Sequence, residues 1–292
     1  MPDRKQKPLI WKRPVTWMPV VEEWLRPLLG RNAIARLRRE DVSELYADDP
    51  DWLAMLEDVL RPGVFEVAEK FARDLEGKVV RAYHGCRTED AGQYFRNGIR
   101  AHRREELESQ VRELVHADPR LAWLRNGLEA RMAEFESALD QGRCYVVLDD
   151  RSLLDGGAHY LIYGSEWICA VLGHGYREPL LENGTPTLVS VDLPLSWVSN
   201  GLRKELAELL LGEWARQTLL APKRVFVEDF TFTMSRDLPP ETVVGHRHPK
   251  KLVDPLERMR VYRPATTTCL HCRRPSAGKT CSSQPIQPLT GG

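Results

Sequence analysis

The chain has 292 residues, enough for one embellished domain or two small ones. Its residues are 42% hydrophobic and 29% charged, and 42 Lys plus Arg balance 42 Asp plus Glu, so a core can be buried and bulk charge makes no case for a nucleic-acid partner. No apolar run reaches the length of a membrane span and no apolar stretch follows the basic N-terminal residues, which argues against a membrane protein or a secretory leader.

The first 77 residues read as helical. Tryptophan and leucine recur at helical spacing in VVEEWLRPLLG, and DWLAMLEDVL follows Asp49 as cap and Pro50 as first helical residue. VFEVAEKFARDLEG closes on Gly77, a helix stop. The texture changes at Lys78: KVVRAYHGCR is β-branched and bounded by Gly77 and Gly85, the mark of a strand. TEDAGQYFRNGI then reads as a short helix with Thr88 as cap and Gly98 as stop. Residues 101–140 carry a long Arg/Glu-rich helical pattern broken near Pro119.

Strands return in RCYVVLDD, GAHYLIYG and TPTLVSVDLP, with the short helix SEWICAVLG after the second of these. NGLRKELAELLLGEWARQ is an amphipathic helix, and KRVFVEDFTFTM and ETVVG complete the strand candidates. From Tyr262 onward the chain is polar and too poor in apolar residues to build a core, so 262–292 are expected to form a flexible tail. Strands and helices do not alternate as βαβ units, which predicts an α+β fold. Six scattered cysteines form no disulfide framework, and a reducing cytoplasm is the expected compartment.

Three stretches carry chemistry. Tyr83-His84-Gly85-Cys86 ends a strand, where Gly85 admits a ligand close to the backbone and His84 can donate to a sugar hydroxyl. GGAHYLIYGSEWICAVLG places Tyr160 and Tyr163 before a helix whose natural N-cap is Ser165, and a tyrosine there can stack on a planar heterocycle. In VFVEDFTFTMSRDLPPETVV, Glu228-Asp229 enters a strand with one buried face, and a carboxylate at that mouth is costly unless paired or employed.

In this order the three stretches resemble the ADP-ribosyltransferase superfamily, in particular its His-Tyr-Glu branch that includes the poly(ADP-ribose) polymerases. YHGCR is similar to the branch's His-Gly-Thr/Ser motif with Cys86 in the hydroxyl position, HYLIYGSEWICA to its tyrosine strand and following helix, and EDFTFTM with LPPETVV to its glutamate strand and closing strand. The Pro-Pro-Glu step also resembles the related RNA 2′-phosphotransferases, which use NAD⁺. The resemblance covers about residues 78–250 and implies a split β-sheet core that consumes NAD⁺ as a substrate. It implies that His84 bonds the adenosine ribose, the Gly85 backbone meets the nicotinamide carboxamide, and Tyr160 or Tyr163 stacks on nicotinamide. Glu228 would bond the nicotinamide ribose and orient the acceptor. Glu166 and Glu241 are rival carboxylates.

The expected organisation is therefore an N-terminal helical region (1–77), a catalytic domain (78–261) with a helical insertion at about 101–140, and the tail. Catalytic roles fall to Glu228, His84 and Tyr163, and NAD⁺ contacts to Tyr83, His84, Gly85, Tyr160, Tyr163 and Ser165. The expected acceptor is a macromolecule, protein or nucleic acid, and a toxin or phage-defence role with an antitoxin or regulatory partner fits such an enzyme. An NAD⁺ glycohydrolase, an RNA 2′-phosphotransferase and a non-catalytic interaction protein are the alternatives. Cys269-x-x-Cys272 with His271 and Cys281 has zinc-ligand types but sits in a polar tail, while His246 and His248 share a strand face with no cysteine nearby in sequence. These read as tail and surface residues, and no metal is expected.

Overall fold

The computed structural model describes residues 7–40, 42–61, 63–135, 142–222, 224–264 and 268–273. Among them the fold is mixed α and β, with twelve α-helices, a five-stranded sheet and a two-stranded ribbon. The strands are β1 (Val79–Thr88), β2 (Cys144–Val147), β3 (Thr185–Pro194), β4 (Thr231–Met234) and β5 (Val243–Arg247), ordered β4-β2-β1-β3-β5. β1 and β2 run antiparallel with Tyr83 opposite Val147. The ribbon pairs β6 (Leu252–Asp254) with β7 (Arg260–Tyr262), Val253 opposite Val261.

The chain divides into two compact units that interleave along the sequence. This differs from a helical region followed by a catalytic domain: the division falls inside β1, between Tyr83 and His84, and again inside β3, between Ser190 and Val191. One unit comprises Met1–Tyr83, Tyr145–Ser152 and Val191–Met234. Its helices are α1 (Met18–Leu25), α2 (Ala33–Leu37), α3 (Asp51–Ala54), α4 (Val64–Leu75) and α11 (Asn200–Leu220). Asp49 accepts from the Asp51 N–H at 3.0 Å and so satisfies a free donor at the start of α3, as its sequence position predicts. α11 packs on α1, α3 and α4. Over Leu210–Arg216 it is buried all round rather than on one stripe, so Glu213 and Arg216 enter the interior together, joined at 2.6 and 2.8 Å. Buried charges of this kind persist only when paired. Trp11 and Trp17 stack at 5.7 Å, each indole N–H donating to a backbone carbonyl.

The other unit comprises His84–Cys144, Leu153–Ser190 and Ser235–Gly292. It holds α5 (Gly92–Asn97), α6 (Arg104–Ala117), α7 (Leu128–Glu134), α8 (His159–Ile162), α9 (Glu166–Leu172), α10 (Pro179–Glu182) and α12 (Leu270–Arg273). The described part of the charged 101–140 stretch is helical from Arg104 on, as expected, apart from the break at Asp118. α6 ends before Pro119, a 3-10 segment (Pro119–Gly127) follows, and α7 resumes; residues 136–141 lie outside the described set. Val111, Val115, Leu121, Leu124, Leu128 and Met132 form a core with Trp167, Ile168, Val171 and Leu172 of α9. The insertion is thus packed on the helix that Ser165 caps.

Three expectations need correction. GAHYLIYG is not a strand: Ala158, Leu161 and Ile162 are the fully buried positions, a spacing of three and four that selects the helix α8. Among its described residues, KRVFVEDFTFTM forms a strand only over Thr231–Met234, because side chains satisfy the backbone ahead of it. Arg151 donates to the carbonyls of Val225 and Phe226, and Asp149 accepts the Glu228 N–H at 3.4 Å, so no ladder is needed there. Within the expected flexible tail, Thr268–Arg273 are built into the fold: α12 forms, and Cys269 is fully buried. Tyr262 at the head of that tail closes β7, and residues 265–267 and 274–292, including Cys281, lie outside the described residues.

Candidate functional site

The unit that begins at His84 contains a cavity of about 770 Å³. That volume lies in the range of small-molecule and cofactor sites. β1 supplies His84 and Cys86 to its lining, two residues apart on one strand face, followed by Arg87. Tyr163, Gly164 and Ser165 line it from the turn between α8 and α9. Gly164 has φ +92°, a backbone state that glycine enters at no steric cost, and it lets the chain reverse between the two helices. α5 contributes Gln93, Tyr94 and Asn97, and α6 with the residues just before it contributes a wall that includes Arg103, Glu106, Gln110 and Glu113.

The sequence-derived set is partly gathered here. His84, Tyr163 and Ser165 line the cavity together. Ser165 also caps α9, its hydroxyl accepting from the Ile168 N–H at 3.3 Å. Tyr163 is buried, 6% exposed, and its hydroxyl donates to the buried Asp254 carboxylate at 2.6 Å, which fixes the ring; burial raises this phenol above its ordinary pKa. Tyr160 does not line the cavity; its hydroxyl donates to Glu166 at 2.8 Å. Gly85 does not line it either, and a Cβ there would meet Leu153 at 3.3 Å, so this glycine serves close packing of β1 on its other face. Tyr83 belongs to the other unit, where the Lys12 ammonium lies 5.2 Å from its ring centroid.

Glu228 also belongs to that other unit and is not among the lining residues. Burial pushes its pKa up to about 7, reinforced by the neighbouring carboxylates Asp229, Asp149 and Asp48, against a backbone hydrogen bond that lowers it. A carboxyl with that pKa changes charge near neutrality, which suits a proton-handling group. Of the rival carboxylates, Glu241 is exposed in a 3-10 turn and Glu166 holds Tyr160.

Sequence reasoning missed Arg87 and the α6 wall of the cavity, and named Cys86 only as a stand-in for a hydroxyl. Arg87 donates to the carbonyls of Asn183 at 2.6 Å and Ile162 at 3.0 Å and to that of Leu181, so its fork fastens β1 to the chain around α10. Cys86, which stands where the resemblance expects a hydroxyl, is buried; its thiol is pushed up to about 12 and donates to the Thr187 carbonyl at 3.4 Å. It is a protonated, packed thiol rather than a nucleophile. Glu106 and Glu113 are carboxylates on the cavity wall, with Glu106 held by Arg100 at 2.5 Å. The signal for that wall was present as spacing: Arg103, Glu106, Gln110, Glu113 and Ala117 recur every three or four residues, one face of a helix.

A second cluster lies in the same unit. His246 in β5 and His248 just beyond its end lie near Cys272 in α12 and Cys269 just before it, with all four potential ligand atoms within 4.8 Å of one another. His246 and His248 are therefore not simple surface residues. Both are half-buried, and burial lowers both imidazole pKa values, that of His246 to about 4. In comparisons with known proteins, no family model, curated sequence or solved structure matches the chain.

Proposed function

We propose that this protein uses NAD⁺ as a substrate and transfers its ADP-ribose to a macromolecular acceptor. The observation that supports this most is the convergence of His84, Tyr163 and Ser165, residues more than seventy positions apart at the extremes, on one cavity of about 770 Å³. In this reading His84 donates to a ribose hydroxyl and the anchored Tyr163 ring lies against nicotinamide. The nicotinamide–ribose bond breaks with its electron pair leaving on the pyridine nitrogen, which cancels the ring's positive charge. The sugar develops oxocarbenium character, and the acceptor attacks the same carbon while losing a proton. A fixed carboxylate stabilises that cation, and its removal costs on the order of 10²–10³ in rate. The resemblance assigns this role to Glu228; position in the cavity lining offers Glu106 and Glu113.

The decisive assay incubates the purified protein with NAD⁺ labelled in the adenylate part, with and without cell lysate. Label transferred to a lysate component by wild type, and reduced at least about a hundredfold by His84→Ala and by one of Glu228→Gln, Glu106→Gln or Glu113→Gln, supports transfer and names the carboxylate. Nicotinamide release without labelling indicates glycohydrolase activity instead. Absence of both overturns the proposal.

A second reading rests on the basic groups of the lining. Arg100, His102 and Arg103 stand together at the cavity, a suitable perch for a nucleic-acid phosphate. An NAD⁺-dependent RNA 2′-phosphotransferase would remove the 2′-phosphate from an oligoribonucleotide in the same assay; a phosphate that stays in place rejects this reading.

A further inference from the structure

We propose that His246, His248, Cys269 and Cys272 form a closed four-ligand site for a thiophilic divalent cation, Zn²⁺ by its chemistry, which fastens the C-terminal segment 268–273 to the wall of the cavity. The donor set is two imidazole nitrogens and two thiols, the N₂S₂ composition that selects zinc over the hard cations. Around tetrahedral zinc, coordinating nitrogen and sulfur stand about 3.5 Å apart, from metal–ligand lengths of roughly 2.0–2.3 Å. Here the Cys272 Sγ lies 3.2 Å from His246 Nε2 and 3.3 Å from His248 Nε2.

The tautomer of His248 suits a ligand. Its Nδ1 lies 3.1 Å from the Pro186 carbonyl, which can only accept, so Nδ1 carries the ring's hydrogen. The Nε2 of the neutral ring then presents a lone pair toward Cys272, as a metal-bound imidazole does toward its ion. The carbonyl of Pro186 is the outer partner that a metal-bound histidine needs, and the Ala91 N–H donates to Cys269 Sγ at 3.4 Å, as befits a thiolate. Binding releases the two thiol protons, and the resulting site, two thiolates and two neutral imidazoles around Zn²⁺, carries no net charge, which suits its burial.

The surroundings show what such a site would hold. The Thr268 N–H donates to Thr185 Oγ1 at 2.9 Å and the Leu270 N–H to the Glu89 carbonyl at 2.8 Å, so 268–273 lie along β3 and the entry to α5. α5 in turn contributes Tyr94 and Asn97 to the cavity lining. Four protein ligands leave no position for a reacting water, so the site is structural.

The test measures metal in the full-length protein purified without chelator and re-equilibrated with Zn²⁺, then exchanged to Co²⁺. The expected result is one zinc per chain, two protons released per zinc, and a cobalt spectrum with thiolate charge-transfer absorption and intense tetrahedral d–d bands. Cys272→Ser and His246→Ala should each lower occupancy at least about tenfold under a competing chelator, with Cys281→Ser unchanged. Wild-type protein that takes up no stoichiometric zinc, or a cobalt spectrum without thiolate charge transfer, overturns the proposal even if the variants fail to fold. Retained occupancy in both ligand variants overturns it as well.

Discussion

Glu228 illustrates how one side chain can carry a measurable signature before any substrate is known. Burial and three neighbouring carboxylates raise its pKa from 4.5 to about 7, so the folded protein keeps a proton that the unfolded chain gives up. The stability tied to that proton is complete below the unfolded value and is lost as pH rises from about 4.5 to about 7. Glu228→Gln stays neutral throughout and escapes that loss. Its Tm should match wild type at about pH 4 and exceed it at about pH 8; equal curves across the range would mean that the carboxyl is not perturbed. The residue was legible in sequence as a charge at the mouth of an apolar stretch. Its local backbone was not, because the side chains that satisfy it, Asp149 and Arg151, stand about eighty positions earlier.

Between residue and fold, two elements show how the cavity's frame is fixed. Gly98, the stop of α5, has φ +76°, and a Cβ there would sit 1.9 Å from the Leu238 carbonyl oxygen across the Ile99–Leu238 bridge. Gly98→Ala therefore meets both a backbone state closed to L-residues and a backbone atom that cannot yield, and chemical denaturation should show a loss of at least about 2 kcal/mol. Arg87 fastens the end of β1 through several carbonyls at once. Arg87→Lys keeps the charge but not the fork, and should cost about 1.5–3 kcal/mol in the same experiment, with little change meaning that the carbonyls find water instead. Periodicity or a clear cap located α4, α6 and α9; α11 was located as a helix, but its middle is buried on every side instead of along the one amphipathic stripe expected. Periodicity misjudged α8, a single turn of four residues whose adjacent Leu161 and Ile162 read equally well as a buried strand.

For the whole molecule, the α+β class follows from the irregular alternation of elements, and the five-stranded sheet agrees with it. The division into interleaved units was not visible in the sequence, since it cuts two strands whose residues are continuous in pattern. The pairing of His246 and His248 with Cys269 and Cys272 was hidden for a similar reason. Each pair was recognisable by its spacing, but more than twenty residues and a β-ribbon separate them, and only the fold closes that gap. His84, Tyr163 and Ser165 were named from short motifs, and the cavity now gives them a common address that a ligand can test.

That test is a titration of the purified protein with NAD⁺ by calorimetry, alongside His84→Ala and Tyr163→Phe, the second chosen because it removes the anchor to Asp254 while keeping the ring. The account predicts saturable binding at one site per chain, weakened at least about tenfold by His84→Ala and less by Tyr163→Phe. No saturable binding by wild type, or equal affinity in wild type and His84→Ala, would contradict it.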